Sequence, residues 1–143
     1  MLSTNPYFNF MGTTEEAMNF YKSVFGGEFT ILQRYKDIPG GEKMPIEEQD
    51  KLIHISLTTP KGHVFMATDV LESMDQKITA GNNCRIAIHT ESENETKKLF
   101  TGLSAGGKVE MPLNKTFWGA FCGMCTDKYG IQWLLNYTYP LNK

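Results

Sequence analysis

The chain has 143 residues, 41% of them apolar and 21% charged, which suits one ordinary domain with a real core and not a disordered chain. A net charge of −2 excludes the clustered cationic excess that phosphate neutralisation needs, and no apolar run approaches the roughly 18 residues that cross a bilayer. Three cysteines are too few for a disulfide framework, and the first ten residues lack a basic region followed by an apolar one, so the expectation is a soluble cytoplasmic protein.

The first strand pattern is YFNF, residues 7–10. The segment TTEEAMNFYKSVFGG (13–27) then predicts a helix. Thr13 and Glu16 have capping-box spacing, Ala17, Phe20, Tyr21 and Val24 form one face, and Gly26–Gly27 end it. EFTILQRY (28–35) reads as a strand. Residues 36–51, rich in Pro, Gly and charge without apolar period, read as a long loop or arm, with a lid as one use. IHISLTTPKGHVFMATD (53–69) is a hairpin around Pro-Lys-Gly, and 71–83 is a linker.

The series then repeats. RIAI (85–88) is a strand, and SENETKKLFTGLSAGG (92–107) is a second helix with a Ser92/Glu95 box, a Thr96–Leu99–Phe100–Leu103 stripe and a Gly106–Gly107 stop. From Thr13 to Ser92 and from Val24 to Leu103 the separation is a constant 79 residues. GKVEMPL (107–113) and the hairpin GMCTDKYGIQWLLNY (123–137) complete it, and aligning Gly62 with Gly130 places Phe65 over Trp133 and Met66 over Leu134. The expected fold is α+β: two βαβββ modules, 5–70 and 84–138, forming a curved mixed sheet around a cleft within a single domain, 1–143. One module alone leaves a sheet face uncovered.

Several side chains are candidates for the cleft. Phe8 and Phe10 match the helix stripe, so alternation turns Tyr7, Asn9 and Met11 the other way. Met66 and Leu134 share the position four residues after the hairpin glycine. Trp118 and Phe121 could stack on a planar ligand or join the core, whereas Trp133 aligns with Phe65 and reads as core. If residues 60–63 form the turn, His54 stands opposite Asp69, where a carboxylate could orient an imidazole general base. In that register Met66 pairs with Leu57 and the His54–Asp69 pair lies on the other face, where it knits the sheet. Cys122 and Cys125 are spaced C-x-x-C, but an odd separation in a strand points them to opposite faces and no helix begins there, against a shared metal or disulfide.

These modules, with FNFMGTTEEAMNFYKSVFGGEF at the front and FWGAFCGMCTDKYGIQWLLN at the back, resemble the vicinal oxygen chelate superfamily of glyoxalase I, extradiol dioxygenases and bleomycin-resistance proteins. Within it the chain is most similar to the PhnB-like branch, often named after a 3-demethylubiquinone methyltransferase, over about residues 5–138. The resemblance implies a divalent metal held by residues at the start of each module's first strand, usually His or Gln, and by a Glu on each last strand. Here the Glu positions are Met66 and Leu134, and Asn5 and Asn83 lie near the strand starts. Thioether and alkyl groups do not suit a hard cation, so no metal and no other cofactor is expected.

A binding protein for a small planar or apolar molecule, on the bleomycin-resistance precedent, is therefore the first reading. The alternative is a divalent-metal-dependent lyase, isomerase or dioxygenase with unusual ligands such as His54 and Asp69. A methyltransferase follows only from the family's customary name, because no Gly-rich loop follows a strand with an acid downstream. The resemblance also implies a homodimer, with 36–51 able to cross between chains; no nucleic-acid or membrane partner is expected.

Overall fold

The computed structural model describes residues 2–141 and divides into two compact units, 1–79 and 80–143, with the boundary inside the segment 71–83. Each is a βαβββ module with its own four-stranded mixed sheet. In the first unit β1 (Tyr7–Phe10), α1 (Thr14–Phe25), β2 (Glu28–Arg34), β3 (Leu52–Thr58) and β4 (Val64–Asp69) give the strand order β1-β4-β3-β2, with β1 parallel to β4. In the second, β5 (Ile86–His89), α2 (Glu93–Ser104), β6 (Lys108–Lys115), β7 (Ala120–Thr126) and β8 (Gln132–Thr138) repeat it as β5-β8-β7-β6. Among the described residues no helix is long and apolar enough to cross a membrane.

Helix α1 buries Thr14, Ala17, Met18 and Tyr21, an i, i+3, i+4, i+7 stripe rotated toward Met18 from the one expected; Phe20 and Val24 are half-buried. Phe8 meets Tyr21 at 5.5 Å between ring centroids, and Phe25 meets Phe65 at 5.2 Å, so this face of the first sheet holds the core. In the second unit α2 buries Thr96, Phe100 and Leu103 over a sheet face carrying the fully buried Trp133 and Leu135. The Trp133 indole N–H donates to Asp127 (2.8 Å), whose other oxygen accepts from the Tyr129 and Ile131 amides and fastens the hairpin.

The two helix starts differ. Ser92 accepts from the Glu95 amide at 3.0 Å, as its capping box requires, while the Glu95 carboxylate turns back to the Glu91 amide. Thr13 makes no side-chain cap bond. Asp69, from the end of β4, takes that role: one oxygen accepts from Gly12 and Thr14 amides at 3.0 and 3.1 Å, the other from Leu52 at 2.9 Å.

The expected loop 36–51 contains short helical turns at Tyr35–Asp37, Gly41–Lys43 and Ile46–Gln49. Its ends are tied into the first unit by the Tyr35 amide on the Lys51 carbonyl and the Lys51 ammonium on the Gly12 carbonyl. The Tyr35 hydroxyl donates to the Asp69 carbonyl at 2.8 Å. The glycine at the end of each helix turn permits a close crossing, since a Cβ at Gly27 would run into the Thr58 carbonyl and one at Gly107 into the Thr126 carbonyl.

Candidate functional site

The register of the β3–β4 hairpin decides which polar groups face outward. The Thr59 amide donates to the His63 carbonyl (2.8 Å) and the Gly62 amide to the Thr59 carbonyl (2.9 Å), so the loop is the three residues Pro60–Gly62, with Gly62 at φ +88°. Ser56 consequently pairs with Met66 and Leu57 with Phe65, one residue away from the expected register. A one-residue slip exchanges the faces. The expected His54–Asp69 pair is therefore corrected: Asp69 points toward α1 as a buried cap, and His54 shares the opposite face with Ser56, Met66 and Thr68.

That face, away from α1, also receives Tyr7 and Asn9, because β1 pairs Tyr7 with Met66 and Asn9 with Thr68. The Tyr7 and His54 rings lie 5.9 Å apart at 37°, a tilted aromatic contact reaching across β4. His54 Nε2 and Ser56 Oγ are hydrogen-bonded at 2.9 Å, which fixes the imidazole plane, and Ser56 is itself buried. Thr68 donates to the Ile53 carbonyl at 2.7 Å. Tyr7 remains 47% exposed, with Met66 half-buried beside it, so the face combines an open aromatic platform with an apolar floor and a few oriented polar groups. Sequence reading placed Tyr7, Asn9 and Met66 here but missed the Ser56 contact and assigned His54 to the other side; the i, i+2 spacing of His54 and Ser56 was the available signal.

In the second unit Leu134 pairs with Ala87 and Met124 on the face away from α2. Of the two places open to Phe121, it takes the core. It alternates with Gly123 and Cys125 onto the helix side, is 8% exposed, and has the Lys97 ammonium of α2 over its ring at 5.9 Å. Trp118 sits in the β6–β7 turn, largely exposed, edge-on to Phe117 at 4.9 Å. Cys122 and Cys125 are both buried and face opposite sides, and burial pushes the Cys125 thiol up to about 11.

The same face of the second sheet holds a charged group that sequence reading overlooked. Arg85, just before β5, makes two parallel hydrogen bonds to the Glu110 carboxylate of β6, each 2.9 Å, and Thr126 donates to Glu110 at 2.7 Å. The Arg85 fork and then the Thr126 hydroxyl hold the Glu110 carboxyl down at about 2. The buried Gln132, paired with Thr126 across the hairpin, has a side-chain oxygen without a partner.

The positions where the resemblance implies metal ligands carry the wrong donors. Beside Met66 stands Tyr7, and beside Leu134 stands Ala87; Asn5 and Asn83 are exposed and precede the strands. Neither pair offers the imidazole and carboxylate that a hard divalent ion takes. Among the described residues no three His, Cys, Asp or Glu side chains converge as a cation site.

Two βαβββ units, each with its first strand parallel to its last, define the glyoxalase/bleomycin-resistance class of α+β folds. A glyoxalase/bleomycin resistance protein/dioxygenase family enzyme from Burkholderia phytofirmans PsJN shares that fold, with a TM-score of 0.63 at 14% identity over 95% of this chain and 100% of its own. The chain belongs to the 3-demethylubiquinone-9 3-methyltransferase family, whose model matches residues 3–136. It is 32% identical to protein PA1353 from Pseudomonas aeruginosa, covering 96% of this chain and 98% of that one with a TM-score of 0.83. It is 28% identical to the PhnB protein from Bacillus cereus, covering 96% and 100%, with a TM-score of 0.77.

Proposed function

We propose that the chain is a small-molecule-binding protein that holds a planar or apolar ligand against the first sheet, on the face away from α1, without the superfamily's usual metal. The observation that carries this reading is the Tyr7–His54 ring contact, with the imidazole fixed by Ser56 and Met66 beside the phenol. A flat ligand gains dispersion and stacking against such a pair, on the order of 1 kcal/mol beyond area burial. Asn9 and Thr68 flank it and can meet polar substituents at the ligand's rim.

The metal-dependent alternative drew on His54 and Asp69 together, and these occupy opposite faces of the sheet. Methyl transfer has no support from the glycines, since the Gly26–Gly27 and Gly106–Gly107 pairs follow helices. A homodimer in the cytoplasm completes the proposal; gel filtration giving a monomer at micromolar concentration removes the dimer.

The test is titration of 2-naphthol, a neutral planar probe, into isotope-labelled protein followed by amide shifts. Perturbation should centre on residues 7, 9, 54, 56, 66 and 68, and Tyr7→Ala or His54→Ala should weaken binding about tenfold. Unperturbed amides there, or affinity indifferent to both substitutions, overturns the reading. Stoichiometric divalent metal in the purified protein that is lost on His54→Ala restores the enzyme alternative.

A further inference from the structure

The second unit carries a charged strap that the first does without. Strands β5 and β6 are opposite edges of their sheet, three strand spacings of roughly 4.8 Å apart when flat. Arg85 and Glu110 nevertheless meet, with both guanidinium nitrogens at 2.9 Å from the two carboxylate oxygens. A bulge makes this possible. Val109 pairs with Cys125 and Met111 with Met124, so Glu110 is the extra residue on β6 and its side chain is re-aimed over the sheet.

The repeat supplies an internal control. The corresponding bulge in β2 lies between Phe29 and Ile31, and its extra residue, Thr30, meets Thr58 at 3.3 Å through hydroxyls alone. Where the second unit has Arg85, two residues before Ala87, the first has Asn5, two before Tyr7. The module thus closes this bulge with neutral groups, and the ion pair is not a requirement of the fold. Both charged side chains stay partly exposed, at 26% and 28%, while Gln132, across from Thr126, buries an acceptor oxygen with no donor.

We propose that Arg85 is the recognition point for a carboxylate-bearing small molecule on the face of the second sheet away from α2, with Glu110 occupying the fork until the ligand arrives. The exchange is of one carboxylate for another, so the guanidinium keeps two charge-assisted hydrogen bonds throughout. Glu110 swings into water, and the Thr126 hydroxyl that donated to it becomes free to donate to the ligand. Every residue of this site belongs to 80–143, whereas Tyr7 and His54 belong to 1–79.

The experiment is titration of the full chain with benzoate, using benzamide as the neutral isostere, followed by amide shifts. Benzoate should perturb residues 85, 110, 126 and 132, whereas benzamide should not. Glu110→Thr, which copies the first unit's Thr30, removes the internal competitor and should tighten benzoate binding about tenfold. Arg85→Gln should abolish it. Glu110→Gln serves as the isosteric replacement if thermal unfolding shows Glu110→Thr to be poorly folded. The proposal is overturned if neither Glu110 variant binds benzoate more tightly than the parent, if benzamide binds equally well, or if Arg85→Gln retains the parent's affinity. Loss of 2-naphthol binding with benzoate binding intact would sink the first-unit reading alone.

Discussion

The Asp69 carboxylate accepts the Thr14 amide at 3.1 Å and so begins a helix that lies 55 residues earlier in the chain. With Gly12 and Leu52 it gathers three backbone donors in a buried position. Asp69→Ala leaves those donors unsatisfied and should lower stability by about 3 kcal/mol in denaturant unfolding. Asp69→Asn, which keeps one carbonyl acceptor, should lose less. A loss below about 1 kcal/mol for the alanine variant would show that water or relaxation replaces the carboxylate.

The two helix starts should respond oppositely to alanine. Ser92→Ala removes a bond to the Glu95 amide and should cost about 1 kcal/mol, whereas Thr13→Ala, at a cap with no side-chain bond, should change stability by less than about 0.5 kcal/mol. Equal losses at both positions would contradict the division of roles described above.

Thiol chemistry offers a third check. Cys84 is exposed while Cys122 and Cys125 are buried. An aromatic disulfide reagent at neutral pH should titrate one thiol in the native protein and three in denaturant. The folded state holds the Cys125 thiol up at about 11 through burial, against an ordinary value near 9, so between those pH values the unfolded chain releases a proton that the folded one retains. Stability should therefore fall as pH rises from about 9 to 11, and Cys125→Ala should flatten that part of the profile. Rapid native labelling of more than one thiol would contradict the burial.

Glycines 27 and 62 both have positive φ but different surroundings. Gly62→Ala, with open space at its tip, should cost about 1 kcal/mol. Gly27→Ala meets the Thr58 carbonyl as well and should cost about 3 kcal/mol or more. Comparable losses in thermal or denaturant unfolding would mean that the helix–strand crossing can relax.

Local signals made the architecture legible in the sequence. Both helices, the strands and the 79-residue repeat rest on periodicity and glycine placement, and these short-range features survive in the fold. The faces were harder to read. Pro60-Lys61-Gly62 announces a turn but not whether three or four residues make it, and that choice moved His54 to the platform face while Asp69 kept the core side that alternation from Met66 gives it. Thr13 has the spacing of a cap, yet a carboxylate from another strand outcompetes it, which no local pattern reveals. Aromatic character left Phe121 open between a ligand and the core, and alternation with Cys125 and Gly123 places it under α2. Arg85 and Glu110 are 25 residues apart, and only the bulge in β6 brings them together.

The difference between the helix starts also bears on the order in which each half assembles. The bond that caps α2 joins Ser92 and Glu95 and draws on no residue outside that short stretch. The beginning of α1 cannot be completed until β4 has been made and docked, so the first half closes on its last strand while the second half can start from its helix.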